Sequence, residues 1–239
     1  MARKGRRLRP LEVELARRFP DLKDPETAVA AGDVLVDGIA NRNPASLVAP
    51  EASLTLRRPT VLRGEAKLRH GLSAMAVPVA GRIALDAGAA AGGFTRVLLE
   101  SGASRVYAVD AGHGQLLGSL RQDPRVVVLE RTNVGALTSG LVPDTVEVVT
   151  MDLSYLPVAR AAPQLEAVGL ARDADLVALV KPQHELGLGA PPAREDEVAR
   201  AVAHAARGLA ACGWDVVAAT RSPVPGARGA VEWLVHARR

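Results

Sequence analysis

From Ile83 to the C-terminus, short apolar runs alternate with stretches of helical periodicity, and this alternation restricts the fold more than any other feature. The runs are Ile83–Asp86, Val106–Asp110, Val126–Glu130, Val146–Asp152, Leu176–Lys181, Val216–Thr220 and Val231–His236. Helical patterns lie between most of them, which predicts an α/β domain built on a mostly parallel sheet. Only a Pro/Gly-rich connection, Ser222 to Gly229, joins the last two runs. That is too short for a helical crossover, so the final strand is expected to enter antiparallel. The prediction is a seven-stranded sheet with a reversed last strand.

The first 56 residues read differently. Leu11, Val13, Leu15, Ala16 and Phe19 follow a helical pattern that Pro20 stops. Asp24-Pro25-Glu26 supplies an N-cap, a first-turn proline and a first-turn acid for a second helix. Val34-Leu35-Val36, the turn Asp37-Gly38 and further short strand-like pieces to Leu54-Thr55-Leu56 complete a small α+β module over 10–56. It is too small to be an enzyme. Residues 1–9 form a basic arm with Arg3, Lys4, Arg6, Arg7 and Arg9 and no acid. Such an arm suits a polyanion, because phosphate contacts release counterions, although a solubilising tail has the same composition. A linker over 57–63 leads to the main domain, 64–239.

Composition narrows the classes. Of 239 residues 48% are apolar, enough for a packed core, while aromatics make up only 3%, so base stacking is a poor main binding mode. The single cysteine, Cys212, excludes an internal disulfide framework and a cysteine-based zinc site, and no metal is expected. No apolar run approaches the roughly 20 residues that span a bilayer, and no h-region follows the basic start. A cytoplasmic protein without membrane partners is the expectation.

The first strand of the alternation ends in Asp86-Ala87-Gly88-Ala89-Ala90-Ala91-Gly92-Gly93-Phe94-Thr95. Glycines at a strand-to-helix turn let backbone approach a ligand, although tight packing alone also selects them. The next strand ends at Asp110, where a carboxylate accepts from both hydroxyls of a ribose or, alternatively, caps a helix. The pyrophosphate fingerprint G-x-G-x-x-G is not matched and no Walker lysine follows. S-adenosylmethionine, a nucleotide without phosphates, therefore fits better than a dinucleotide. Asp86 is a candidate partner for its methionine part or a cap of the following helix. Glu130 or Asn133, after the third strand, is expected near the adenine ring. A seven-stranded sheet with an antiparallel last strand also describes Rossmann-like methyltransferases better than dehydrogenases.

The stretch from Arg63 to Trp233 resembles the TlyA (haemolysin A-type) ribosomal RNA 2′-O-methyltransferases, relatives of the FtsJ family. The matching pieces are Arg63-Gly64-Glu65-Ala66-Lys67-Leu68, Asp86-Ala87-Gly88 through Gly92-Gly93-Phe94-Thr95, and Asp110-Ala111-Gly112-His113-Gly114-Gln115-Leu116. They continue with Leu129-Glu130-Arg131-Thr132-Asn133, Asp152-Leu153-Ser154, Val180-Lys181-Pro182-Gln183 with Glu185, and Val231-Glu232. The N-terminal module is similar to the αL-type RNA-binding domain of that family. The resemblance implies ribosomal RNA or a ribosomal subunit as partner and S-adenosylmethionine as cofactor, held by Asp86, Gly88, Gly92, Gly93, Phe94, Asp110, Glu130, Asn133 and Asp152.

The family's Lys-Asp-Lys-Glu tetrad falls on Lys67, Asp152, Lys181 and Glu232. A ribose 2′-hydroxyl is a poor nucleophile and must be oriented and deprotonated as it attacks a sulfonium methyl. A lysine serves as base only if its pKa drops from about 10.4 toward working pH, which desolvation and a second lysine favour. The resemblance makes Lys181 the base or orienting group, Lys67 the source of a like-charge field, and the two acids the aligners of both ammonium groups. The chain departs from the family in Ala89-Ala90-Ala91, where a Ser-Thr pair is usual, in His184 for an aromatic, in Ala230 for an asparagine, and in the loop from Leu186 to Glu197. These departures leave two other readings: a small-molecule methyltransferase or related natural-product enzyme, and a non-catalytic RNA-binding factor.

Overall fold

The computed structural model describes residues 8–20, 22, 24–56, 62–192 and 194–239. Arg3, Lys4, Arg6 and Arg7 of the basic arm and 57–61 of the linker lie outside the described residues. The chain divides into two units, Met1–Val61 and Leu62–Arg239.

In the first unit a two-residue strand β1 (Arg9–Pro10) precedes the helices α1 (Leu11–Arg18) and α2 (Pro25–Ala31). Asp24 caps α2 by accepting from the Thr27 N–H at 3.0 Å, with Pro25 in the first turn. β2 (Val34–Val36) and β3 (Ile39–Asn41) form a hairpin. Its two turn residues, Asp37 and Gly38, both have positive φ (50° and 83°), as a two-residue hairpin turn demands. β4 (Leu47–Val48) pairs with β1, and β5 (Leu54–Leu56) adds to β2. Leu11, Leu15, Val29, Val34, Val48 and Ala52 form the core. Glu14 is buried among arginines: Arg17 and Arg18 donate to it at 2.5 and 2.8 Å and hold its carboxyl at about 2.

The second unit opens with α3 (Arg63–Ala74) and then alternates: β6 (Ile83–Ala87), α4 (Gly93–Glu100), β7 (Arg105–Asp110), α5 (Gly118–Arg121), β8 (Val126–Glu130). It continues with β9 (Val146–Met151), α6 (Val158–Ala161), β10 (Leu170–Val180), α7 (Pro182–Glu185), α8 (Glu195–Ala210), β11 (Asp215–Arg221) and β12 (Trp233–Arg238). The seven strands run in the order β11-β12-β10-β9-β6-β7-β8. β6 to β10 are mutually parallel, and β12 inserts antiparallel to both β10 and β11, as its short connection requires. Two apolar layers cover the sheet. One gathers Leu85, Val149, Leu176 and Trp214, the other Leu68, Phe94, Val148 and Leu234.

Two strands differ from expectation by more than one residue at an end. β10 starts at Leu170, six residues early, because a register shift between Leu170 and Asp175 carries the exposed Arg172 and Asp173. β12 starts at Trp233, so Glu232 lies just ahead of the last strand rather than in it. Among the described residues no helix is long and apolar enough to cross a membrane.

Candidate active site

The parallel strands deliver their C-terminal ends to one edge of the sheet, where open α/β folds collect ligands. After β6 the chain turns at Gly88 (φ +90°), where a Cβ would stand 2.5 Å from the Asp152 carbonyl oxygen. The exits of β6 and β9 thus touch backbone to backbone, and only glycine fits. Ala90 has a φ of +45°, and its N–H donates to Asp110 Oδ2 at 2.9 Å. The Gly112 N–H donates to Asp110 Oδ1 at 2.6 Å. A carboxylate accepts about four hydrogen bonds, so each Asp110 oxygen keeps a free lone pair.

Gly88, Ala90, Asp110, Gln115, Thr132, Asp152 and Ser154 are among the residues lining a cavity of 210 Å³. Among the described residues its walls hold two carboxylates, Asp110 and the Lys181-paired Asp152, and no lysine or arginine. That donor set suits a ligand without phosphates that carries positive charge, with Asp110 free to receive a ribose diol. The residues therefore fit S-adenosylmethionine.

A second cavity of 410 Å³ shares Gly88, Ala90, Asp152 and Ser154 with the first. It is lined by all four members of the expected tetrad, Lys67, Asp152, Lys181 and Glu232. α3 reaches it because Gly64 and Gly93 let α3 and α4 approach closely: a Cβ on Gly93 would lie 3.1 Å from Gly64 Cα. One turn later Lys67, only 7% exposed, places Nζ 2.5 Å from Glu232 Oε2. Glu232 in turn seats against Gly226, where any side chain would collide with its carboxylate. Lys181, directly after β10, places Nζ 2.6 Å from Asp152 Oδ1. Its hydrogen bonds go to the Leu153 carbonyl at 3.1 Å and Ser154 Oγ at 3.3 Å. Asp152 Oδ1 is buried, and the Lys181 ammonium contact is the partner that the described residues give it.

Other expected residues lie elsewhere. Asp86, expected at the methionine part, is fully buried under the sheet edge, accepting from Thr95 Oγ1 at 2.6 Å and Thr150 Oγ1 at 2.9 Å. Burial raises its pKa to about 6 against the opposing pull of both threonines, with Asp152 adding to the rise. It props the nucleotide turn from beneath and is not among the residues lining either cavity. Glu130, expected near adenine, accepts backbone N–H groups of Gly114, Gln115 and Leu116 and the Arg121 guanidinium. The Arg121 bond and then the Gly114 N–H hold it far below the usual carboxylate range. All its capacity is spent on folding the loop 113–116. Asn133 is exposed between two lining residues, Thr132 and Val134, and is not itself part of the wall. Phe94 is core, and Gly92 (φ +97°) starts α4 where a Cβ would strike Leu116 and Leu120.

Ser154, Tyr155 and Arg63 were not singled out from the sequence, yet they line these cavities. Ser154 and Tyr155 directly follow Asp152 and Leu153 at a strand end, which is the signal that marks them. Arg63 lines the second cavity and donates to the Pro225 carbonyl at 2.6 Å, steadying the turn beneath Glu232.

Residues 60–239 match the family model for FtsJ-like methyltransferases. Over its whole length the chain is 44% identical to the 16S/23S rRNA (cytidine-2′-O)-methyltransferase TlyA of Mycobacterium tuberculosis, covering 91% of that protein. It is 32% identical to Hemolysin A of Brachyspira hyodysenteriae over 87% of this chain and 90% of the relative. Among solved structures, a candidate hemolysin from Streptococcus thermophilus superposes with a TM-score of 0.67 at 29% identity, covering 98% of this chain and 90% of that one.

Proposed function

The chain belongs to the FtsJ-like methyltransferase family, and from that premise we propose that it methylates a ribose 2′-hydroxyl of ribosomal RNA with S-adenosylmethionine. One observation carries this reading. Two lysine–carboxylate pairs line a single cavity, and that cavity shares a wall with a cation-free cavity containing Asp110.

S-adenosylmethionine supplies an electrophilic sulfonium methyl when bound. Asp110 receives its ribose hydroxyls, and Gly88 provides the close backbone surface that no side chain interrupts. The substrate hydroxyl enters the larger cavity, where Lys181 orients it and takes its proton. Asp152 holds the Lys181 side chain in place, and Glu232 holds Lys67 at the wall of the same cavity. The M. tuberculosis relative is named for ribose methylation of cytidine in ribosomal RNA, and the same chemistry suits this tetrad. The N-terminal unit acts as an αL-type RNA-binding module, and ribosomal RNA or a ribosomal subunit in the cytoplasm is the partner.

The test is transfer of labelled methyl from S-adenosylmethionine to ribosomal subunits, followed by mapping of the modified nucleotide. The reading expects label on a ribose 2′-oxygen. RNA binding without transfer would point to a non-catalytic factor, and label confined to small molecules would move the substrate out of RNA.

A further inference from the structure

Lys181 and Asp152 reach each other from different loops, one after β10 and one after β9. We propose that the buried carboxyl of Glu185 is a positioning residue that sets their spacing by locking these two loops together. The proposal deepens the methyltransferase reading above and rests on it.

The two loops run side by side and meet twice. At the near end Lys181 Nζ contacts Asp152 Oδ1 at 2.6 Å and donates to the Leu153 carbonyl at 3.1 Å. At the far end the first loop has become α7, whose last residue is Glu185, and the second has reached Val158, the first residue of α6. Glu185 Oε1 accepts the Val158 backbone N–H, one of the donors a helix start leaves without an internal partner. Glu185 Oε2 lies 3.0 Å from His204 Nδ1 on α8. The Glu185 and His184 N–H groups both return to the Lys181 carbonyl, at 3.0 and 2.9 Å, so α7 and Lys181 move as one piece.

The platform under this lock is stiff. α6 and α8 cross so closely that a Cβ on Gly208 would collide with Ala159, and Val158, Ala161, Ala201, Ala205 and Leu209 pack in one core. Glu185 has a side chain only 1% exposed beside that core. A carboxyl is an expensive group to bury, and an apolar residue would fill the space at less cost. Its gain is geometric: two directed bonds fix α7, and with it Lys181, against the segment that carries Asp152.

The test uses the full chain, ribosomal subunits and labelled S-adenosylmethionine, with Glu185→Ala, Glu185→Gln and His204→Ala beside wild type. Glu185→Ala is expected to lower kcat at least about tenfold and to shift the pH–rate profile. The RNA KM and cofactor affinity should stay within about threefold. Glu185→Gln, whose amide still accepts from Val158 and meets His204, should stay within about threefold of wild type in kcat. His204→Ala removes only the half-exposed outer arm, and it decides the matter if Glu185→Ala fails to fold. It should lower kcat about threefold and move the profile in the same direction. Wild-type kcat and an unmoved profile in a folded Glu185→Ala or His204→Ala protein would overturn the proposal. An inactive wild type would instead overturn the function on which it rests.

Discussion

β10 and β12 lie antiparallel and present charged groups at both ends, and the two ends treat their charges in opposite ways. At one end Asp175 pairs across the strands with Arg238 and accepts from Arg82 at 2.5 Å and Arg238 at 2.9 Å, with His236 Nε2 at 2.6 Å. Arg82 goes on to the Pro78 and Glu147 carbonyls. At the other end Lys181 and Glu232 follow and precede the same two strands, each in a single lysine–carboxylate pair at the wall of one cavity. The first end is saturated and serves stability. The second is held by single pairs that line a cavity, where a ligand can reach them. Charge alone does not mark a site; charge held at a cavity wall does.

The comparison breaks most readily at Asp175. Burial would push its pKa up, but Arg82, His236 and Arg238 outweigh that and hold it below the usual carboxylate range. Asp175→Ala leaves the buried His236 and the partly buried Arg82 without their shared acceptor, which costs about 3 kcal/mol, the low end for breaking a buried pair. For a chain of this size that is a fall of about 10 °C in Tm. Calorimetry should show it, while methyl transfer at 25 °C stays within about threefold. A large loss of rate in protein that remains folded would erase the division between the two ends.

A pH scan sharpens the contrast because the two buried aspartates titrate in opposite senses. Asp86, raised to about 6 by burial, favours the protonated fold, so its contribution is full below its ordinary value of 3.8 and is lost as pH rises through about 6. Asp175 is lowered, so its contribution is present above the ordinary value and is lost as pH falls. Asp86→Asn keeps one acceptor and one donor for Thr95 and Thr150 and removes the first dependence. Its stability by urea unfolding should therefore gain on wild type between pH 5 and pH 8, by an amount of the order of 1 kcal/mol, the part of the linkage that falls in that window. Parallel profiles would show that Asp86 ionises freely in the fold.

The smallest expected effect falls on the cofactor wall. Asp110→Ala removes two charge-assisted acceptors for the ribose hydroxyls and should weaken S-adenosylmethionine binding about tenfold or more by calorimetry. It also frees the Ala90 and Gly112 N–H groups, so far-ultraviolet circular dichroism is recorded alongside. Unchanged affinity in a folded protein would remove Asp110 from the cofactor site.

The sheet was legible because most of its parallel strands are apolar on both faces and several run into acids, as at Asp110, Glu130 and Asp152. Val126–Glu130 matches residue for residue, and the short Ser222–Gly229 connection foretold the reversed β12. β10 was read too short because its first turn of strand carries exposed Arg172 and Asp173 ahead of a register shift, which hides the apolar pattern. In the site, Lys67, Asp152, Lys181 and Glu232 were visible as motif positions, and the structure gathers them in one cavity. Asp86 and Glu130 bond to partners that the sequence does not reveal, for one physical reason. An acid at a strand end announces bonding capacity but not who fills it, and the fillers lie apart in sequence: Thr150 for Asp86, Arg121 and the 114–116 backbone for Glu130.

The cavity-lining end of the strands is where the chemistry is assigned, and Lys181 is its decisive group. Lys181→Ala, assayed with labelled S-adenosylmethionine and ribosomal subunits, should lower the transfer rate at least about a hundredfold, the scale of general-base catalysis. Cofactor affinity should stay within about threefold, because the role is realised in the transition state. Lys181→Arg should not restore the rate, since a guanidinium stays protonated and its fork does not reproduce a compact ammonium. A Lys181→Ala protein that methylates at a near-normal rate would contradict the account.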